Sequence, residues 1–333
     1  MTAALGDGAR VLVTGGAGYI GSVVATRLIE SGYRVTVLDD LSTGFRAGLP
    51  EGVEFVEGRV HESAAKVLDP TYAAVLHFAA FSQVGESVAR PEKYWANNVV
   101  GSYQLLDAMR AAGVRRLVFS STAAVYGEPD AVPIPETAHT APTSPYGATK
   151  LAVDHMISAE AAAHGLAAAS LRYFNVAGSY AGRGERHDPE SHLIPLVLKA
   201  AAGERPEITV YGTDYPTPDG TCVRDYIHVA DLADAHLLAL GRARAGEHLI
   251  CNLGSGTGFS VRQVIEAARR VTGREIPQAE AGRRAGDPAS LVAGSQRARE
   301  ELGWQPGRAD LETMIADAWS FAQAVKAEGG GRQ

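Results

Sequence analysis

Tyr146 and Lys150 stand four residues apart in the stretch Ser144-Pro145-Tyr146-Gly147-Ala148-Thr149-Lys150. Ser144 is a good N-cap and Pro145 suits the first position of a helix, where its missing N–H has no intrahelical partner to lose. Four residues on, a helix returns to the same face, so phenol and ammonium become neighbours. A phenol titrates near pH ~10 in water, and a positive charge beside it favours the phenolate. The pair can therefore form a general base, with Lys150 lowering the pKa of Tyr146. Alone, the spacing also describes a surface tyrosine next to a solvated lysine, and the surrounding elements must decide.

The first of those elements is Val11-Leu12-Val13-Thr14, a short apolar run suited to a buried strand. It leads directly into Gly15-Gly16-Ala17-Gly18-Tyr19-Ile20-Gly21, and a helical segment follows from Ser22 to Ile29, closed by Gly32. Strand, glycine turn and helix in that order are the context in which Gly15, Gly18 and Gly21 imply a dinucleotide site. The glycines let backbone approach a pyrophosphate, and the helix N-terminus offers N–H donors to it. The next strand, Arg34 to Leu38, ends on Asp39. A carboxylate there accepts hydrogen bonds from ribose hydroxyls and repels a 2′-phosphate, so the expected cofactor is NAD rather than NADP.

Further strands are expected at Val53–Val56, Val75–Phe78, Leu117–Ser120 and Ser170–Tyr173, with helical patterns such as Tyr103–Met109 between most of them. This alternation predicts an α/β fold, a Rossmann-type doubly wound parallel sheet. Ligands then gather at the carboxyl ends of the strands, where Thr14-Gly15, Phe78-Ala79-Ala80 and Ser120-Ser121-Thr122 fall. Past Asn175 the regular alternation stops, and Arg, Asp, His and Asn become frequent. The expected division is a NAD-binding domain over 1–175 with a returning segment at about 222–252, and a second, smaller mixed α/β substrate domain over 176–221 and 253–330. Two arginines past Asn175, Arg224 and Arg284, suit a diphosphate, because a guanidinium fork matches phosphate oxygens and stays charged.

Composition excludes several other classes. Of 333 residues, 46% are hydrophobic and 21% charged, enough for a full core. A net charge of −7 gives no reason to expect nucleic acid or an anionic membrane as partner. Two cysteines, Cys222 and Cys251, suggest a reduced compartment without a disulfide framework. No apolar run approaches the ~20 residues of a membrane span, and no signal pattern opens the chain. A cytoplasmic protein is expected, and no metal site.

The chain resembles the extended short-chain dehydrogenase/reductase family, and within it the enzymes that epimerise UDP-hexoses at C4. The resemblance rests on the glycine turn, Leu38-Asp39-Asp40-Leu41, His77-Phe78-Ala79-Ala80, Val84-Gly85-Glu86-Ser87 and Asn97-Asn98-Val99. It continues through Ser120–Gly127, Ser144–Lys150 and Arg172-Tyr173-Phe174-Asn175. Most specific are the block from Tyr211 through Thr221 to Val223–Val229, and Arg284 with Asp287. The match spans residues 10 to about 325.

The resemblance implies an NAD-dependent inversion of C4 that interconverts UDP-galactose and UDP-glucose through a transient 4-keto sugar. Tyr146 would be the base, Lys150 would tune it and bind the nicotinamide ribose, and Thr122 would hold the sugar hydroxyl. Cofactor contacts are implied for Gly15, Gly18, Tyr19, Ile20, Gly21, Asp39, Asp40, Phe78, Ala79, Ala80, Asn97, Ser120, Ser121, Tyr146, Lys150 and Tyr173. Substrate contacts are implied for Thr122, Tyr146, Phe174, Asn175, His192, Leu193, Tyr211, Arg224, Arg284 and Asp287, with Leu291 gating the far end of the sugar pocket against an N-acetyl group. Relatives pair through two helices, here those around Tyr103–Met109 and Leu151–Ile157, which implies a homodimer.

Some positions depart from the family. Gly58-Arg59 replaces the frequent Gly-Asp that reaches the adenine, Phe81-Ser82 lacks a lysine found in some members, and His192 stands where others have Asn. Three alternatives are weighed against the epimerase reading. A 4,6-dehydratase or decarboxylase on the same scaffold needs added acid/base groups after Thr122, where Ala123 and Ala124 offer only methyls. A non-catalytic NAD-binding regulator has no use for Tyr146, Lys150 and Thr122. A simple dehydrogenase that releases NADH does not account for the nucleotide-sugar positions.

Overall fold

Seven strands form the central sheet of the computed structural model, which describes residues 5–284 and 287–330. They are β1 (Arg10–Thr14), β2 (Arg34–Asp39), β3 (Glu54–Glu57), β4 (Tyr72–His77), β5 (Arg116–Thr122), β6 (Ala167–Tyr173) and β7 (His248–Leu253). Their order across the sheet is β7-β6-β5-β4-β1-β2-β3, and every pairing is parallel. Side chains alternate along a strand, so neighbouring apolar residues serve opposite faces. Val11 and Val13 pack with Val23, Val24 and Leu28 of α1 (Tyr19–Glu30), whereas Leu12 joins Leu105 and Met109 on the other side. Both faces are covered, which is why these strands read as continuous apolar runs. Helices α2 (Val60–Val67), α3 (Gly101–Ala111) and α4 (Pro145–His164) lie on the face of Leu12; α5 (Val229–Arg242) packs beside α1 on the face of Val11. Each fully buried Val or Leu contributes about 1.5–3 kcal/mol relative to an exposed one.

The strand order reverses between β1 and β4. The chain leaves β1 toward β2 and β3, then returns to place β4 on the other side of β1. Loops that follow these two strands diverge and open a crevice at the carboxyl ends. At that point the sheet is pinned by a 2.6 Å hydrogen bond between the Thr14 hydroxyl and His77 Nδ1.

Helix α4 begins as its sequence predicts. The Ser144 hydroxyl accepts the Gly147 N–H at 3.2 Å, and Pro145 is the first helical residue. The segment before it holds an unexpected feature. Pro91–Tyr94, a π turn at Trp95–Val100 and α3 form one continuous helix. Single π turns occur often at functional sites and carry no periodic signature that a sequence reading would detect.

Beyond β6 the chain builds outside the main sheet. Asn175–Ala177, Val223–His228, Gly258–Ser260 and Ser290–Leu291 form a small mixed sheet, and Ile208–Tyr211 pairs with Gln278–Ala281. Helices Leu193–Ala201, Val261–Thr272 and Leu311–Gly330 bury a core that includes Val197, Val264, Met314 and Ile315. Most of these strands are too short for alternation to reveal, so the sequence showed an irregular region where a second sheet exists. Between them, α5 and β7 rejoin the main sheet, with β7 at its edge against β6.

Candidate active site

A cleft of about 630 Å³ opens over the carboxyl ends of the central strands. Its floor is the turn after β1. Gly15 has φ +72°, and its N–H donates to Leu38 O at 2.9 Å. A Cβ at Gly15 would stand 2.5 Å from the Ala79 nitrogen, so only a residue without one lets the two turns meet. The N-terminus of α1 follows, with no acidic residue in its first turn and no side chain capping it. Its N–H groups are therefore free to receive an anion.

Asp39, at the end of β2, is 8% exposed and lines the same wall. Its carboxylate accepts the N–H of Ala17 at 2.9 Å and of Leu41 at 2.8 Å. Burial raises its pKa, partly offset by those two bonds. A glycine cradle, an open helix end and a carboxylate one strand over fit a dinucleotide such as NAD. Arg59 lines the cleft on this side, 3.8 Å from Asp40. The substitution for the family's acid thus brings a cation next to a second acid.

The reacting groups stand across the crevice. Tyr146, Lys150, Thr122, Ser120 and Tyr173 all line the cleft. Lys150 is 2% exposed and donates to the Ser120 carbonyl at 2.7 Å, with its ammonium 4.7 Å from the centre of the Phe119 ring. Tyr146 and Lys150 share this wall, and burial acts on both. Burial pushes the Tyr146 phenol up to about 12, with the Thr122 hydroxyl acting in the other direction. Burial likewise brings Lys150 down to about 7, against the opposing pull of Asp154 one helical turn on. Both groups are withdrawn from water, and desolvation disfavours each charged form. Behind them, His77 is held near pKa 3 by burial and by the nearby Lys150, so its ring is neutral. Asp154 pairs with Arg172 at 2.9 Å, both almost fully enclosed. Breaking such a buried pair from one side costs about 3–5 kcal/mol.

Of the expected cofactor residues, Tyr19, Ile20, Phe78, Ala79, Ala80 and Asn97 also reach the cleft wall. Ser121 does not: it is fully buried and its hydroxyl donates to Asp154 at 3.2 Å. Ser120 and Thr122 face the cleft, and the two-residue period of β5 turns Ser121 the other way. That period was readable in the sequence. Asn97 lies on the π turn, where its neighbour Asn98 does the structural work by binding both the N–H and the carbonyl of Phe81. The lysine absent after β4 has a counterpart from another element. Lys93 lines the cleft with its ammonium 3.9 Å from the centre of the Phe81 ring and 2.7 Å from Glu86.

The other half of the cleft collects Phe174, Asn175, His192 and Leu291. His192 precedes the helix Leu193–Ala201 without a side-chain capping bond, and Leu193, its first residue, packs toward that region's core instead of forming the cleft wall. Burial opposes charge on His192, but bonds to Glu185 and Glu190 outweigh it and raise the ring to about 10. The remaining expected residues, Tyr211, Arg224, Arg284 and Asp287, are not part of the cleft wall. Arg224 is paired with Asp287, not with its neighbour Asp225, whose carboxylate accepts N–H groups from Ser255, Gly256 and Ala293. Arg284 stacks its guanidinium 3.9 Å over the Tyr211 ring. Strand pairing sets Arg224 opposite Leu291, which connects this group to the cleft. Glu185 and His187 also line the wall; no motif announced them, because an irregular loop brings them there.

The family model described as "NAD dependent epimerase/dehydratase family" matches residues 11–254. The chain belongs to this family. Among the epimerase/dehydratases it is 65% identical to the UDP-glucose 4-epimerase of Streptomyces lividans over 94% of this chain and 95% of that one. The crystal structure of UDP-glucose 4-epimerase from Brucella ovis in complex with NAD superposes with a TM-score of 0.90 at 45% identity, covering 93% of this chain and 97% of the other. A UDP-glucose-4-epimerase from Stenotrophomonas maltophila with bound NAD and formylated UDP-arabinopyranose gives 0.92 at 42% identity, covering 96% and 99%. The two reactions in the family's description make different demands. Dehydration needs side chains that move a second proton and release a hydroxyl. Here Ala123 and Ala124 stand beside Thr122 in the cleft wall, and the nearby Glu86 is engaged by Lys93 and by the Tyr94 hydroxyl.

Proposed function

We propose that this protein is an isomerase that interconverts UDP-galactose and UDP-glucose by inverting C4. The observation that carries the reading is the wall formed by Tyr146, Lys150 and Thr122 next to two alanines, in a cleft continuous from the glycine turn to Leu291. When bound, NAD supplies the acceptor for the hydrogen that leaves C4 and a positive nicotinamide ring that favours the phenolate. Tyr146 then takes the proton of the 4-hydroxyl, and returns it once the 4-keto sugar has presented its other face. Thr122 holds that oxygen, and Lys150 holds the nicotinamide ribose. Arg224 and Arg284 stay on the diphosphate while the sugar turns, a task for which bidentate, permanently charged groups are suited. The buried wall keeps water from the keto sugar.

In this reading residues 1–175 with about 222–252 serve the cofactor, and 176–221 with 253–330 the nucleotide sugar. Asp39 selects NAD over NADP, and Leu291 leaves UDP-N-acetylglucosamine a poor substrate. The direct test is to incubate the purified protein with UDP-galactose and no added NAD, then assay UDP-glucose. No conversion, with or without NAD, would sink the proposal.

The setting we propose is the cytoplasm. Both cysteines are unpaired and buried, and among the described residues no helix is long and apolar enough to cross a membrane. A homodimer belongs to the same reading. Val84, Val88, Trp95, Val100 and Tyr103 stand exposed on segments beside α4, a large apolar surface for a monomer to leave in water. Light scattering at micromolar concentration should give twice the chain mass; a monomer would rule out pairing through these helices.

A further inference from the structure

The reaction proposed above needs no metal, and no spacing in the sequence suggested one. The loop before the helix Leu193–Ala201 nevertheless brings four donors together. Glu185, His187, Glu190 and His192 each offer an atom, and these atoms lie within 4.8 Å of one another. Nδ1 of His187 is 2.9 Å from Glu185 Oε1; Nδ1 of His192 is 2.8 Å from the same oxygen and 2.9 Å from Glu190 Oε1. Exposed acidic side chains often cluster without consequence, but these two are enclosed. The Glu185 side chain is 10% exposed and that of Glu190 3%. The Glu190 carboxylate is also aimed by the backbone, accepting the N–H of Ser191 at 2.7 Å and of His192 at 2.8 Å. Between these two enclosed carboxylates stands the His192 ring, at the point where all four donors converge.

We propose that this loop binds a divalent cation of the zinc class, held by Nδ1 of His187 and of His192 and by one oxygen each from Glu185 and Glu190. Two imidazoles and two carboxylates suit Zn²⁺, Co²⁺ or Ni²⁺, whereas Ca²⁺ and Mg²⁺ prefer oxygen donors throughout. With metal–ligand distances near 2.0–2.2 Å, donors around a tetrahedral ion stand roughly 3.3 Å apart. The four atoms already bracket that separation, so small side-chain rotations suffice. All four residues lie within 185–192, so closing the chelate orders only a short loop. Glu185, His187 and His192 line the large cleft, which gives the ion a path from solvent. On binding, metal–nitrogen bonds replace the N–H at Nδ1 of both rings: the His192 proton goes to solvent, and the His187 ring shifts to the tautomer protonated at Nε2. The site gains one positive charge at the nucleotide-sugar half of the cleft. The inference stands whether or not the C4 inversion is correct.

The test uses the untagged full chain, stripped with chelator and dialysed. Titration with Co²⁺ should saturate at one ion per chain and produce visible absorption bands of a four- or five-coordinate ion, which Zn²⁺ then abolishes. His187→Ala and Glu190→Gln should each weaken binding at least tenfold. Glu190 is enclosed and its variant can fail to fold; the His187 side chain is a quarter exposed, so His187→Ala keeps the test intact. No saturable binding up to millimolar Co²⁺, or equal affinity in the His187→Ala variant, would overturn the assignment.

Discussion

At Tyr146 the feature to test is the hydroxyl. In the reaction proposed above it is the proton acceptor, so removing it takes that acceptor away and little else. Tyr146→Phe should lower kcat by about 10²–10⁴-fold while UDP affinity, measured by calorimetry, stays the same. Turnover within tenfold of the parent protein would remove Tyr146 from the chemistry. Leu291 makes a different kind of contribution. It lines the cleft and packs against the cluster of Val125, Tyr126 and Ile134, so its bulk is fixed in place. Leu291→Ala should raise kcat/KM for UDP-N-acetylglucosamine relative to UDP-glucose, by about 10-fold or more, because only the larger sugar meets the wall. An unchanged ratio would place specificity elsewhere. Residue types did foretell much of this wall. Gly15, Asp39, Tyr146 and Lys150 have chemistry that local spacing exposes, and all four reach the cleft. Lys93, Glu185 and His187 arrive by tertiary contact, and nothing next to them in sequence marks that. Helical spacing predicted that Tyr146 and Lys150 share one face, but not that Lys150 is enclosed.

Elements explain why the two halves of the cleft differ in legibility. The turn between β1 and α1 follows from the sequence, since three glycines between an apolar strand and a helix permit few alternatives. Its geometry gives a sharp test. Gly15→Ala forces a methyl against the Ala79 backbone at a positive φ, a conformation costing of order 1–3 kcal/mol for a non-glycine residue. The melting temperature should fall, and NAD affinity should drop more than tenfold as the two turns move apart. A variant with parental NAD affinity would show that this turn does not set the cofactor site. The π turn at Trp95–Val100 has no comparable signature, although it positions Asn97 at the cleft and Asn98 on Phe81. The short strands beyond Asn175 were invisible for a related reason: two to four residues do not establish a period.

For the whole molecule, burial lowers four histidines, His228 and, more strongly, His77, His236 and His248. His77 titrates near 3, and His236 and His248 near 4, against about 6.5 in an unfolded chain. Below pH ~6.5 the unfolded chain binds protons that the folded one refuses, so stability is full above that value and falls as pH drops toward the folded-state values. At pH 5 the fully buried His77 and His236 should each remove about 2 kcal/mol relative to neutral pH, and the partly buried His248 somewhat less. Denaturant titrations at pH 7 and 5 measure the loss, and His236→Leu should reduce the slope by one proton. A stability that does not change between those two values would mean that these rings can charge in place. Parallel strands and alternating helices made the doubly wound sheet readable from the sequence. A return to that sheet was expected at about 222–252; in the structure residues 229–253 make it, while Val223–His228 pairs in the second, smaller sheet.

That return has a consequence for synthesis. Every residue of β6 is buried, and β7 supplies one of its two neighbours. On the ribosome, β6 emerges long before His248 is added. At about 5–20 residues per second, several seconds pass in which this strand is an unpaired edge. Such an edge is a template for pairing with another chain. Nascent chains of this protein should therefore be captured by chaperones most strongly between the appearance of Tyr173 and that of Leu253, and released as β7 closes the sheet.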